Sequence, residues 1–133
     1  MQPFEWSIRV YYEDTDAQGV VYYANYFRYM ERARTEWLRS LGVDQSHLLN
    51  TERRMFVVTE TKAEFVAPAR FNDEIVVTAR LANLTRATFD IEQNIYLNSL
   101  DGTLLVRGGV RAAFLNADTM RPLRVPAEIF EDS

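Results

Sequence analysis

Asp14 and Asp16 stand two residues apart, where a strand-like segment gives way to a long amphipathic one. Side-chain oxygens at such a place accept hydrogen bonds from free backbone N–H groups and favour the positive end of a helix dipole, so both can be turn and cap residues. Alternatively, one of them does chemistry. A carboxylate kept ionised by local N–H donors suits a nucleophile or base better than an acid. N–H groups at the same helix start can hold a developing oxyanion. Hydrolysis of an activated acyl group needs that pairing. Gly19 close behind offers a positive φ or a close backbone approach, and either lets a ligand sit against the helix start. The nearby Tyr22, Tyr23, Tyr26 and Tyr29 read as core and interface, since aromatics fill small cores well.

Little else in the chain competes for a chemical role. It has no cysteine and one histidine, which excludes disulfides, thiolate catalysis and thiolate metal sites. His47 follows Ser46, but adjacent side chains seldom face each other and no Gly-x-Ser-x-Gly elbow surrounds them. It reads as a surface residue. Arg70, Arg80, Arg86, Arg107 and Arg111 are scattered over strands and turns, and none is specific alone. No Walker A, Rossmann-glycine or zinc-ligand spacing is present, so neither metal nor cofactor is expected. A net charge of −4 argues against a nucleic-acid partner. The first residues lack a basic region followed by an apolar run, unlike a secretory signal, and no apolar stretch approaches the roughly 20 residues of a membrane span. A cytoplasmic protein is expected.

The elements that must position the turn follow from periodicity. At 133 residues the chain reads as a single domain over 1–133. Trp6, Ile8, Val10 and Tyr12 alternate with polar neighbours, predicting a strand over residues 6–12, and residues 13–19 form the turn. Over 26–41, Tyr26, Phe27, Met30, Ala33, Trp37, Leu38 and Leu41 recur at helical spacing. Glu31 with Arg34 and Arg32 with Glu36 can pair on its solvent side, and Gly42 supplies a stop. A short helical stretch covers 44–51. The period then becomes two, predicting strands over 56–67, 74–84, 87–97 and 103–116. In the third, Phe89, Ile91, Ile95 and Leu97 share a face opposite Asp90, Glu92 and Asn94. Pro68, the corner at Arg86 and the turn at 100–102 separate them. Short connections favour an antiparallel meander. The result is an α+β domain, one helix covered by a curved sheet, whose exposed edges call for at least a dimer.

The run from Arg9 to Tyr22, RVYYEDTDAQGVVY, followed by Met30-Glu31-Arg32-Ala33-Arg34-Thr35-Glu36 and later Ala67-Pro68-Ala69-Arg70, resembles the 4-hydroxybenzoyl-CoA thioesterase family of hotdog-fold proteins. It looks most like the Tol–Pal-associated acyl-CoA thioesterase branch. The resemblance covers nearly the whole chain. It implies a long helix wrapped by a five-stranded antiparallel sheet, paired into a homodimer or homotetramer, and hydrolysis of an acyl-CoA to an acid and free CoA. By the same resemblance Asp16 is the catalytic carboxylate, as nucleophile or general base. Backbone N–H groups near Gly19, Tyr22 and Tyr23 polarise the carbonyl, in a pocket between subunits. Arg86 and Thr88 meet the CoA phosphates. Many members of that branch carry histidine where this chain has Tyr23, so histidine-assisted water activation is not carried over. Ala87 follows Arg86 where a further cation could sit, which leaves the basic cluster thin. Two other readings fit the same fold: hydrolysis of acyl groups from acyl carrier protein, and a non-catalytic acyl-thioester-binding or scaffold protein.

Overall fold

A computed structural model describes residues 2–131; Met1, Asp132 and Ser133, the ends of the expected domain, lie outside the described residues. The apolar stripe becomes helix α1 (Ala24–Ser40), which buries Tyr26, Met30, Ala33, Trp37 and Leu38 together with Tyr29. Gly42 ends it at φ 90°, and the Val43 N–H returns to the Leu38 carbonyl at 2.9 Å, closing the last turn. A short α2 (Gln45–Asn50) follows, its start capped by the Asp44 carboxylate, which accepts the Ser46 and His47 N–H groups. The expected solvent-side pairs do not form. Glu36 takes Arg39 at 2.6 Å, Glu31 accepts the Thr35 hydroxyl at 3.1 Å, and Arg34 turns inward to Gln93. Gln93 is fully buried on a strand and needs partners there, a demand that outweighs a weak surface pair.

The strands are β1 (Phe4–Arg9), β2 (Arg54–Phe65), β3 (Glu74–Leu84), β4 (Thr88–Leu97) and β5 (Leu104–Asn116). They form one antiparallel sheet in the order β1-β3-β4-β5-β2. β3, β4 and β5 meander as expected, and β2 does not. It lies beside β5, from Arg54 opposite Asn116 to Phe65 opposite Val106, while β1 takes the free edge of β3. At 13 residues β5 is the one strand long enough to match the 12 of β2. The first strand also ends sooner than its alternation suggests. Ile8 and Val10 are buried, but Tyr12 is 77% exposed, because the chain leaves the sheet and enters a 3-10 turn at Tyr12–Asp14.

One sheet face packs on α1 through Ile75, Val77, Phe89, Ile91, Ile95, Val106 and Phe114. The other carries cross-strand ion pairs: Arg80–Glu92 at 2.7 Å, Arg111–Asp90 at 2.8 Å and Arg107–Glu64 at 2.6 Å. An antiparallel sheet with one polar face requires no cover on that side. Both outer strands, the six-residue β1 and the twelve-residue β2, keep an unpaired edge, and β2 is by far the longer.

Candidate active site

The two aspartates have separate jobs. The Asp14 carboxylate accepts the Tyr11 N–H at 2.9 Å, and its backbone carbonyl accepts both the Tyr22 N–H and the Asn25 side-chain amide at 2.9 Å. Asp14 therefore bolts the acidic turn to the start of α1. Asp16 sits at the tip of a small hairpin. Its N–H donates to the Val20 carbonyl at 2.9 Å, its carbonyl accepts the Gly19 N–H at 3.0 Å, and its carboxylate accepts the Gln18 N–H at 2.9 Å. One oxygen is thereby fixed and the other left open. Gly19 holds φ 79°, and an added Cβ there meets nothing within 4 Å, so the positive φ is what the glycine supplies, not a close approach.

The hairpin is pinned from below by the loop before β3. Val20 bridges Arg70, the Val21 N–H donates to the Ala69 carbonyl at 2.9 Å, and the Tyr26 hydroxyl accepts the Ala69 N–H at 3.0 Å. At the head of α1 the N–H groups of Tyr23 and Ala24 meet no acceptor among the described residues, whereas those of Tyr22, Asn25 and Tyr26 are all taken. Two free donors at a helix start, beside a carboxylate with a free oxygen, can polarise a carbonyl and deliver a nucleophile to it. The Ala24 donor escaped the sequence reading because a backbone group leaves no mark in residue type.

The tyrosines divide. Tyr26 and Tyr29 are core, while Tyr22 and Tyr23 are 47% and 56% exposed, their rings tilted against each other with centroids 4.9 Å apart. Tyr23 and Tyr26 both reach Phe65 at the end of β2, so an aromatic patch flanks the hairpin. The neighbouring Tyr23 hydroxyl first, then burial and Asp16, raise the Tyr22 phenol above its ordinary pKa. Burial, then Asp73 and Asp16, do the same for Tyr26 against the lowering effect of the Ala69 N–H. The Tyr29 hydroxyl is buried without a partner in hydrogen-bond geometry; burial first, then the nearby Asp14, push its pKa upward.

The other expected site residues lie elsewhere. Arg86 and Thr88 occupy the β3–β4 turn, where the Thr85 and Thr88 hydroxyls meet at 2.6 Å, so Thr88 is a turn former. Asp16 adjoins the beginning of β3 through Val20, Arg70 and Asp73, whereas Arg86 follows its end. A strand of that length spans about 33 Å, and one chain cannot bring the two together. The turn is nonetheless less thin in charge than the sequence suggests. The Val125 N–H donates to the Arg86 carbonyl at 2.7 Å, and Arg86 and Arg124 line a shared cleft of about 480 Å³. Arg80, Arg107 and Arg111 are spent on carboxylates; neither Arg86 nor Arg124 has an ion pair among the described residues. Arg124 lies in a tail with no periodicity, so only the fold reveals it.

A long helix wrapped by a five-stranded antiparallel sheet, with an acidic hairpin at the helix start, defines a hotdog domain of the thioesterase type. Comparison with known proteins agrees. A family described as the thioesterase-like superfamily matches residues 10–132, and the chain belongs to it. It is similar to the acyl-CoA thioesterase YbgC of Haemophilus influenzae, 37% identical over 95% of this chain and 90% of that one. It is also similar to the acyl-CoA thioester hydrolase YbgC of Escherichia coli, 38% identical over 95% and 92%. Among solved structures, a probable thioesterase from Bartonella henselae superposes with a TM-score of 0.86 at 33% identity, over 94% of this chain and all of that one.

Proposed function

We propose that this chain is an acyl-CoA thioesterase in which Asp16 carries the reaction. The observation that supports this most directly is that the hairpin carrying the open Asp16 carboxylate oxygen is tied, through Thr15–Val21 and Asp14–Tyr22, to the helix start where the Tyr23 and Ala24 N–H groups are free. The thioester carbonyl oxygen lies against those two donors, which hold the charge it gains in the tetrahedral state; losing one such donor typically costs about 10²–10³ in rate. Asp16 attacks the carbonyl carbon and expels the CoA thiolate, leaving a mixed anhydride that water then cleaves, or it takes a proton from water that attacks directly. Either route consumes one water and yields the carboxylic acid and the free thiol. Among the described residues no helix is long and apolar enough to cross a membrane, and we place the enzyme in the cytoplasm, with acyl-CoA as its substrate.

A homodimer completes the site. Phe65, at the end of β2, lies by the Asp16 hairpin through Tyr23 and Tyr26. Phe56, near its start, lies at the Arg86 end, since it pairs with Phe114, whose N–H donates to the Ala87 carbonyl. The nine steps between them cover about 30 Å. Two copies joined antiparallel along their β2 edges set the start of one strand beside the end of the other. Asp16 of one chain then faces the Arg86–Arg124 cleft of its partner, and a CoA spanning the interface is held at its phosphates by two unpaired guanidiniums.

The experiment is thiol release from short, long and aromatic acyl-CoAs, wild type against Asp16→Asn. Turnover by the wild type, lost in a variant that still folds, is the expected result. Full activity in Asp16→Asn would sink the catalytic assignment. A wild type inert on every acyl-CoA would transfer the role to acyl-carrier-protein substrates or to binding.

A further inference from the structure

Arg34 is the one charged residue of α1 that turns into the domain. It is half-buried, and one of its N–H groups donates to Gln93 Oε1 at 3.1 Å; no other acceptor meets it among the described residues. Burial lowers its pKa, and Glu31 on the same helix opposes that. Gln93 is 0% exposed, and its amide nitrogen is used up on the Met30 and Thr78 carbonyls at 2.9 and 3.3 Å. Its oxygen is therefore locked toward Arg34 and fixes how the guanidinium points. The guanidinium keeps four further N–H groups that no side chain or carbonyl among the described residues takes, so they are free to meet a ligand from the solvent side.

The space in front of it is a cleft of about 190 Å³ with two kinds of wall, Leu38, Phe56, Val58 and Phe89 on one part and Glu31, Thr35 and Gln45 on the other. A cavity of about 150 Å³ takes a benzene ring, so this cleft has room for a ring or a short chain. Glu31 offsets the charge of Arg34, so the cleft calls for a neutral oxygen acceptor more than for a full anion. It opens beside Phe56 and Val58, the end of β2 that the paired dimer brings to the partner's Asp16.

Resting on the thioesterase reading and its dimer, we propose that Arg34, oriented by Gln93, is a specificity determinant that reads an oxygen on the far end of a compact acyl group whose thioester sits at Asp16 of the other chain. The preferred substrates are then short acyl-CoAs ending in a hydroxyl or carbonyl oxygen, and Arg34 selects them without touching the reacting carbon.

The test compares isosteres, 5-hydroxypentanoyl-CoA with hexanoyl-CoA for turnover, and the inert thioethers S-(5-hydroxypentyl)-CoA and S-hexyl-CoA for binding. The wild type should favour the hydroxyl member of each pair by about tenfold or more, the scale of a hydrogen bond to a charged group. The hydroxyl thioether should also move the Arg34 Nε–H resonance. Arg34→Met should bring both ratios to about one. If Gln93, robbed of its donor, unfolds that variant, Arg34→Lys keeps a donor and should retain part of the preference. Equal handling of the isosteres by the wild type, a ratio unchanged in Arg34→Lys and Arg34→Met alike, or no binding of either thioether would overturn the inference. Selective thioether binding through Arg34 with no turnover of any acyl-CoA would uphold it and refute the hydrolase reading alone.

Discussion

The Tyr26 hydroxyl accepts the Ala69 N–H at 3.0 Å, joining the first turn of α1 to the loop that carries the chain into β3. The Ala69 carbonyl is held in turn by the Val21 N–H at 2.9 Å, so both sides of a wholly buried residue are tied to the Asp16 hairpin. Tyr26→Phe leaves the ring in the core and strands one buried donor, whose desolvation costs about 1–3 kcal/mol. We expect a lower denaturation midpoint of that size and a several-fold loss of turnover, as the hairpin loses its floor. Urea titration and thiol release check it; unchanged values in both would mean the bond holds nothing.

The proposed division of labour across a dimer makes a sharper prediction. Asp16→Asn removes the carboxylate of one half-site, and the double variant Arg86→Ala, Arg124→Ala removes the cations of the other. If each site draws one half from each chain, a mixed dimer of the two inactive proteins contains one site with neither change and one with both. Mixing after mild dissociation should restore up to about half the wild-type activity per mixed dimer, by the symmetry of a two-fold interface. Mixtures as inactive as their components would place Asp16 and the arginines in independent sites.

Most of this architecture was legible in the sequence, and the failures share a cause. The α1 stripe, the three strands after Pro68 and the turn at Asp16 are local patterns, set by spacing along the chain. The neighbour of β2 is not local: periodicity states which face of a strand is buried and nothing about which strand lies beside it. Gln93 falls on the apolar parity of β4 while being polar, and Arg34 sits at i+3 from Glu31, where a surface pair looks complete. Only the fold shows that the two meet in the interior at 3.1 Å. Arg124 was invisible for a third reason, since only the folding back of a tail without periodicity sets it in a cleft shared with Arg86.

Asp14 provides the control for Asp16. Its carboxylate caps the 3-10 turn by accepting the Tyr11 N–H, but the bonds that fix the helix start come from its backbone carbonyl. Asp14→Ala should therefore cost about 1 kcal/mol, the scale of a lost cap, and leave kcat within a few-fold, while Asp14→Asn keeps an acceptor and costs less. A collapse of kcat in Asp14→Asn equal to that in Asp16→Asn would show that the two carboxylates act together.

Tyr29 predicts how stability responds to alkali. Its hydroxyl is buried with no partner in hydrogen-bond geometry among the described residues, and burial first, then the nearby Asp14 carboxylate, raise its pKa well above the ordinary 10. A group whose folded pKa is raised favours the folded state fully while pH stays below its unfolded value. Above about pH 10 the unfolded chain loses this proton and the folded one keeps it, so stability falls by up to about 1.4 kcal/mol per pH unit until the folded pKa is reached. Tyr26, raised for the same reason of burial, adds to the slope. Tyr29→Phe removes one proton from this balance and an unsatisfied polar atom from the core. It should be as stable as wild type or slightly more so at pH 7, and should lose stability less steeply between pH 9.5 and 11. Parallel pH profiles for the two proteins in urea titrations would mean that the Tyr29 hydroxyl ionises in the folded protein as it does in water.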